Sequence, residues 1–174
     1  MKALKITGIV MAVLVAIFFG GAALLPAHCH MERSAEIKAS PSEVYAYLMD
    51  LSKTAEWSPF VAMEPTAKTS FTGTAGQNGQ VWSWEGAKLG VGTNTIVEST
   101  PNAFIHQELL FNGKDKAEAD FRMVPAGDGT QLTWTFDCEM GYPGGRWMGL
   151  MMTKFMGGHY DTGLANLKTI LEKK

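Results

Sequence analysis

Between residues 61 and 140 the chain carries a hydrophobic period that leaves few choices of fold. Short runs of alternating apolar and polar residues are separated there by Gly, Pro, Asn and Asp at regular intervals. A period of two places successive side chains on opposite faces of a strand, and the turn residues between runs favour hairpins. We therefore predict six consecutive antiparallel strands, at residues 63–71, 80–85, 93–98, 103–111, 117–124 and 130–140.

A seventh strand and a helix start precede this region. Residues 30–39 also alternate, with one plainly polar face, as in a strand that is covered on one side. Ser40, Pro41 and Glu43 then give the pattern of an N-cap, a first helical residue and a capping-box partner. We expect a helix, a turn and a short second helix before the six strands begin.

Residues 145–173 return to a helical period, with Leu164, Leu167 and Leu171 along one apolar side. A curved sheet and an amphipathic helix each expose one apolar face, so the two must pack together. A strongly bent sheet cannot touch a straight helix everywhere, and we expect a cavity between them. The predicted fold class is α+β, with a curved antiparallel seven-stranded sheet wrapped on a long C-terminal helix, two short helices after the first strand and an N-terminal transmembrane helix.

Residues 6–25 carry no charge and follow Lys2 and Lys5. At about 1.5 Å per residue, a helix of this length matches about 30 Å of bilayer hydrocarbon. We interpret residues 1–29 as an uncleaved signal anchor and residues 30–174 as the folded domain. A cleaved signal peptide and a buried core helix are the alternatives, and a lipoprotein signal is disfavoured because His28 precedes Cys29.

The flanking charges set the expected orientation of this anchor. Both lysines lie before the apolar run, which favours an N-terminus inside and a domain outside. In a bacterial cell the domain would then be periplasmic or extracellular. Such a compartment permits disulfides, and the chain has two cysteines, Cys29 and Cys138.

Composition argues against several functional classes. The net charge is −2 without a Lys/Arg cluster, so we expect no nucleic-acid partner. The adjacent residues His28, Cys29 and His30 would rarely converge on one ion, and no metal or cofactor is expected. No catalytic residue is assigned, because His106 is placed on the outer face and His159 on a helix surface. A pocket role for His159 with Tyr160, as acid or base, is the alternative, as is an inward-facing Glu85.

Several segments, in the right order, resemble one known superfamily. They are MERSAEIKASPSEVYAYLMDLSKTAEWSPF at 31–60, VWSWEGAKLGVGTNTIVESTPNAFIHQELLF at 81–111, GTQLTWTFDCEM at 129–140 and GLANLKTILE at 163–172. They are similar to the START-like helix-grip superfamily (SRPBCC), in its polyketide cyclase/dehydratase branch. The resemblance implies a cavity for a hydrophobic ligand, but this branch has no shared catalytic motif to transfer.

Strand and helix period then predicts which side chains line that cavity. The expected lining residues are Trp82, Trp84, Asn94, Ile96, Gln107, Leu109, Met123, Trp134, Phe136, Met152, Met156 and Tyr160. The set is aromatic and Met-rich with few polar groups, which suits a nonpolar ligand held by shape and oriented by a few hydrogen bonds. The alternative is that the same residues pack into a core without a hole.

The resemblance also brings the two cysteines together. In a helix-grip sheet the first strand pairs with the last, which would bring Cys29 and Cys138 within disulfide range. Two free thiols are the default expectation, and a disulfide between them is the alternative. The predicted function is a membrane-anchored protein that binds a hydrophobic small molecule or lipid, with its oligomeric state undetermined. A cyclase/dehydratase-like lyase or isomerase and an interaction module with a closed core are the alternatives.

Overall fold

Seven strands form one antiparallel sheet in the computed structural model, which describes residues 2–173 and the side chains of residues 5–152 and 156–173. The order is β1-β7-β6-β5-β4-β3-β2, so six consecutive strands form a meander and the first strand pairs with the last. The strands are β1 (His28–Ile37), β2 (Lys68–Thr72), β3 (Val81–Gly86), β4 (Gly90–Thr100), β5 (Phe104–Phe111), β6 (Asp115–Ala126) and β7 (Gly129–Glu139). The seven-stranded antiparallel fold predicted from the sequence is confirmed.

The hairpin between β5 and β6 shows how local sequence fixes the meander. Asn112 and Gly113 have φ values of 52° and 70°, the left-handed conformation of the central residues of a tight hairpin turn, which is closed by the Lys114 N–H donating to the Phe111 carbonyl at 3.1 Å. Asn and Gly are the residues that adopt it at least cost. The strands on either side therefore leave the turn in register, with Phe111 opposite Asp115.

Three short helices follow β1, and the first begins as predicted. Helix α2 (Pro41–Leu48) has a complete capping box, in which the Ser40 backbone N–H donates to Glu43 Oε2 at 2.9 Å. A single 3₁₀ turn (Leu51–Lys53) then leads to α3 (Thr54–Trp57) and α4 (Pro59–Met63). These elements cover one side of the sheet.

The strand predicted at residues 63–71 is wrong over its first half. Helix α4 occupies Pro59–Met63, and β2 comprises only Lys68–Thr72. The intervening loop is held by Glu64, whose carboxylate accepts backbone N–H groups of residues 87–89 at 2.8 to 3.0 Å. Alternation alone missed this helix because it is a single turn that starts at a proline.

Helix α5 (Gly144–Leu171) is the long C-terminal helix, about 42 Å long at 1.5 Å per residue. It crosses β1 and contacts α3 and α4. Gly157 does not interrupt it, and a Cβ there would lie 2.6 Å from the Arg33 guanidinium. Arg33 in turn forms an ion pair with Asp161 at 3.2 Å, so the glycine permits a close crossing of β1 and α5.

The hydrophobic core lies between the sheet, α2 and the C-terminal half of α5. Ile37, Val44, Leu132 and Leu167 are fully buried there, and they belong to one continuous cluster. This cluster closes one end of the space between sheet and helix. The other end is open and is described below.

Helix α1 (Lys2–Leu24) precedes the sheet and contacts α5 at its end. Within it, residues 5–24 are long and apolar enough to cross a membrane, and almost all of their side chains are exposed. Such a helix near the N-terminus has the composition of a membrane anchor and equally of a signal sequence.

Candidate functional site

A cavity of about 640 Å³ lies between the concave face of the sheet and the N-terminal half of α5. Its volume is typical of small-molecule sites, which span about 300 to 1,000 Å³. Aromatic rings and aliphatic or thioether side chains form most of the wall. Trp57 and Phe60 close one side of it from α3 and α4.

Ten of the twelve residues predicted to line a cavity lie on this wall. They are Trp82, Trp84, Asn94, Gln107, Leu109, Trp134, Phe136, Met152, Met156 and Tyr160. Ile96 and Met123 do not line the cavity, and both belong to the hydrophobic core cluster instead. That core cluster includes Val44 of α2, a helix that contacts β6 and β7, so α2 fills the space which the cavity occupies farther along the sheet.

Sequence reasoning missed several lining residues. Trp57 and Phe60 belong to helices of four and five residues, which are too short for a period to assign a face. Met148 lies one helical turn before Met152 at the start of α5, and the period that placed Met152 and Met156 on the wall was the available signal for it.

Two polar side chains meet inside the cavity. Asn94 Nδ2 donates to Gln107 Oε1 at 2.9 Å, and both residues are more than nine-tenths buried. Within the described structure, Asn94 Oδ1 and Trp134 Nε1 are buried without a hydrogen-bond partner. A buried acceptor and a buried donor without partners are costly, and a ligand or water that pairs with them removes the cost.

The ionisable groups on the wall are held neutral or exposed. Burial, with Cys138 and Cys29 nearby, raises the pKa of the Tyr160 hydroxyl far above its usual range. Burial, together with Cys29, raises the pKa of the Cys138 thiol to about 12. A neutral thiol is a poor nucleophile, so this site lacks the activated cysteine of a covalent catalyst.

The charged lining residues mark the mouth of the cavity. Among the lining residues that the structure describes, those with charged side chains are Lys88, Asp115, Lys116 and Glu139, and all four are exposed. Met148, also a lining residue, is 61% exposed at the start of α5. The cavity therefore opens at the end of the sheet where β7 stops and α5 begins.

Cys29 and Cys138 lie directly opposite each other on β1 and β7. Both are buried, and both are free thiols in the structure. Directly opposite residues of an antiparallel pair have Cα atoms about 4.5 to 5.5 Å apart, which falls in the range that a disulfide spans. Cys138 also lines the cavity, so this pair forms part of its wall near the mouth.

The opposite face of the same strand pair carries histidines and carboxylates. His28 Nε2 and His30 Nδ1 lie 2.9 and 2.7 Å from Asp137 Oδ1, and His28 Nδ1 lies 3.3 Å from Glu139. These hydrogen bonds raise the pKa of His28. Partial burial opposes ionisation of Asp137, but the hydrogen bonds with His30 and His28 outweigh it and lower its pKa.

The remaining predicted residues have ordinary surroundings. Glu85 is exposed, and His106 Nδ1 pairs with Asp120 at 2.7 Å on the outer face of the sheet. His159 contacts the ring of Phe60 at 5.4 Å between centroids. Over the described part of the chain, no group of three or more His, Cys, Asp or Glu side chains is arranged to hold a metal ion.

Comparison with known families gives one match over most of the chain. The profile of a family described as polyketide cyclase / dehydrase and lipid transport matches residues 28–172. No curated protein matches the chain significantly.

Solved structures with the same architecture are distant in sequence. A START superfamily protein from Mycobacterium smegmatis is 20% identical, with a TM-score of 0.62, over 83% of this chain and 98% of that one. The di-domain ARO/CYC StfQ of the steffimycin biosynthetic pathway is 14% identical, with a TM-score of 0.66, over 88% of this chain and 53% of that one. CalU16 from Micromonospora echinospora is 15% identical, with a TM-score of 0.56, over 83% and 76% of the two chains. At these identities the likeness establishes the fold alone.

Proposed function

The chain belongs to the polyketide cyclase/dehydrase and lipid transport family, and from this premise we propose that it is a membrane-anchored protein that binds a hydrophobic small molecule or lipid. The single observation that carries the proposal is the cavity of about 640 Å³ between sheet and α5. A packed interaction module would have no such space. An apolar wall of this size favours a ligand held mainly by burial of its surface.

The buried polar atoms support a lightly polar ligand. Asn94 Oδ1 accepts and Trp134 Nε1 donates, and both lie on the cavity wall without partners in the described structure. A hydroxyl or carbonyl group on the ligand would pair with them and fix its orientation. Among the described lining residues the charged side chains are exposed at the mouth, so none of these would pair with a charged ligand group deep in the cavity.

A cyclase-like activity is the second candidate, and the same geometry supports it less. General acid–base catalysis needs a group whose pKa lies near the working pH. Among the lining residues that the structure describes, the buried ionisable groups are Tyr160 and Cys138, and burial raises the pKa of both away from neutrality. The neutral wall therefore favours binding without turnover.

The binding proposal is tested with the full chain purified from membranes. Native mass spectrometry, with collisional release from the detergent micelle, should reveal a co-purifying hydrophobic molecule. In Leu109→Trp the indole would fill the cavity, so occupancy should fall by at least about tenfold. The matched control is Leu110→Trp, because the neighbouring side chain lies on the opposite face of β5 and outside the lining.

Two results would reject the proposal. The first is equal occupancy in both tryptophan variants, which would place the bound molecule elsewhere. The second is a clean apo mass that no hydrophobic compound library changes. Turnover of a library compound by the wild-type chain, lost in Leu109→Trp but kept in Leu110→Trp, would favour the cyclase-like candidate instead.

A further inference from the structure

The last two turns of α1 pack against the start of α5. The rings of Phe18 and Trp147 stack with centroids 6.4 Å apart, and Trp147 Nε1 donates to the Phe18 carbonyl at 3.0 Å. The Tyr142 hydroxyl donates to the Phe19 carbonyl at 3.0 Å. Gly21 permits this approach, because a Cβ there would lie 2.6 Å from the Trp147 ring. We call this set of contacts the α1–α5 junction.

One charged side chain belongs to the junction, and it pairs with the end of α1. Arg146 Nη1 donates to the carbonyls of Ala22 and Leu25 at 3.2 and 3.5 Å. The last carbonyls of a helix have no partners within the helix, and they carry its negative dipole end. The Arg146 guanidinium therefore supplies hydrogen bonds to the last carbonyls of α1. Arg146 is the one charged residue between residues 141 and 153, so this pairing takes the charge away from an otherwise apolar surface.

The α1–α5 junction holds the start of α5 beside the end of α1, so the two lie at the same depth relative to any membrane that α1 enters. Phe18 lies seven residues before Leu25, which is about 10 Å along a helix axis. If the apolar run of α1 lies in bilayer hydrocarbon, the first turns of α5 lie at the outer boundary of that hydrocarbon. Tyr142 and Trp147 are the residue types enriched at this boundary.

The surface beside the junction is apolar and exposed. Met148, Leu150 and Met151 are 61%, 52% and 74% exposed on the first turns of α5. Met148 and Met152 of the same turns line the cavity, together with Gly141 and Gly145. One short segment thus connects the end of α1, an exposed apolar face and the mouth of the cavity.

We propose that the α1–α5 junction holds the mouth of the cavity in the lipid–water boundary of the bilayer, so that the ligand enters from the membrane without crossing water. The occupant of the exposed face formed by Met148, Leu150 and Met151 is the bilayer itself. This inference rests on the proposed function and specifies its ligand as a molecule dissolved in the membrane. Continuity with α1 favours the bilayer over a second copy of the chain, because the face and the apolar run leave the same junction.

The location is tested without any variant. The full chain is reconstituted in phosphatidylcholine vesicles that contain a phosphatidylcholine with a photoactivatable diazirine in its acyl chain. After irradiation and trypsin digestion, lipid adducts are expected on the fragment 147–154 and on the fragment that contains α1. The fragment 169–173, at the other end of α5 and outside the cavity lining, is the internal control and should carry none.

The route of entry is tested with a defined probe. A dansyl-labelled undecanol, which carries no charge, is offered either from phosphatidylcholine vesicles or from detergent micelles, and energy transfer from the cavity tryptophans reports its arrival. In Leu150→Asp/Met151→Asp, loading from vesicles should slow by at least about tenfold, because the charges oppose burial in lipid. Neither residue lines the cavity, so loading from micelles should be unchanged. Val124→Asp, at a 59% exposed position on β6, is the matched control.

The outcomes separate this inference from the proposed function. Adducts confined to α1, or equal vesicle loading in all variants, would overturn the inference while binding stands. A mature protein that lacks residues 1–25, or cross-links between two copies through fragment 147–154, would also overturn it. Failure of the probe to enter from micelles as well would count against the cavity as a ligand site, whereas adducts on fragment 147–154 would still support the position of the mouth.

Discussion

The two halves of α5 face the same sheet but have different surroundings. In the C-terminal half, Leu164, Leu167 and Leu171 are 3%, 0% and 6% exposed and pack into the core. In the N-terminal half, Met148 and Met151 are 61% and 74% exposed, and the half-buried Met152 lines the cavity. One helix therefore contributes stability at one end and a binding site at the other. Substitutions should divide in the same way between effects on unfolding and effects on binding.

The largest effect is expected at the closed end. Leu167 of α5 is 0% exposed within the core cluster and lies outside the cavity lining. Leu167→Ala should lower the free energy of unfolding by about 2 to 5 kcal/mol, as for other buried leucines. Chemical denaturation of the full chain in detergent measures the loss.

The matched substitution at the open end is Met152→Ala. Its side chain is half-buried and already borders empty space, so its removal should cost less than about 1 kcal/mol. Losses of similar size in Leu167→Ala and Met152→Ala would mean that the cavity is collapsed in solution and that the two halves of α5 do not differ.

The second effect concerns the cysteines near the mouth. Cys29 follows α1 and Cys138 precedes α5, so a bond between them would tie together the two segments that the junction joins. We expect that thiol–disulfide exchange with a disulfide-bearing oxidase, which takes up both thiol hydrogens, oxidises the pair where the domain lies outside the cytoplasm. The bond should raise the free energy of unfolding by about 2 to 4 kcal/mol.

Non-reducing mass spectrometry of protein from native membranes tests this prediction, since the bond removes the mass of two hydrogens. The variant Cys29→Ser/Cys138→Ser should unfold at the same denaturant concentration with or without reductant. Two free thiols in the native protein would contradict the prediction.

The third effect should appear in binding and leave stability nearly unchanged. Asn94→Leu/Gln107→Leu removes both partners of the buried amide pair, and this double replacement should leave the free energy of unfolding nearly unchanged. Replacing one residue alone would leave the other amide buried without a hydrogen-bond partner. Affinity for a long-chain alcohol should fall about tenfold, the value of one well-placed hydrogen bond. Affinity for the alkane of equal length should not fall, and an equal loss for both compounds would show that the pair shapes the cavity rather than orients a ligand.

The sequence predicted the closed end and the sheet better than the open end. Alternation placed Trp134 and Phe136 on the concave face, and the Ser40 capping box marked the start of α2 correctly. These patterns are local, because one strand or one helical turn is enough to define them. The same local pattern assigned Ile96 to the cavity, because the period of a strand identifies the face on which a side chain lies but not which element packs against that face.

The features that position the mouth are not local. The stacking of Phe18 on Trp147 joins residues 129 positions apart, and the pairing of Arg146 with the α1 end depends on where β7 stops. The hydrophobic period of α1 or of α5 does not predict the contact between them. The helix α4 was missed for a related reason, because a single turn carries too few residues to show a period.

The smallest effect is a pH dependence located at the open end. His28 follows α1 and is exposed, and its hydrogen bonds to Asp137 and Glu139 raise its pKa above the unfolded value of about 6.5. A raised histidine pKa stabilises the fold below the unfolded pKa, and the stabilisation is lost as the pH rises through the folded pKa. The lowered pKa of Asp137 acts in the opposite direction, so its contribution is lost only as the pH falls through its folded value.

We therefore expect the first residues of β1 to become less protected from hydrogen exchange as the pH rises from about 6 to about 8, after correction for the intrinsic exchange rate. The effect should be absent in His28→Gln and retained in Glu118→Gln, an exposed carboxyl on β6. Amides near Ile37, at the closed end of the same strand, should not respond, because that end packs in the core and lies far along β1 from the histidines. A uniform pH response along β1 would assign the titration to global unfolding, and it would remove this difference between the two ends.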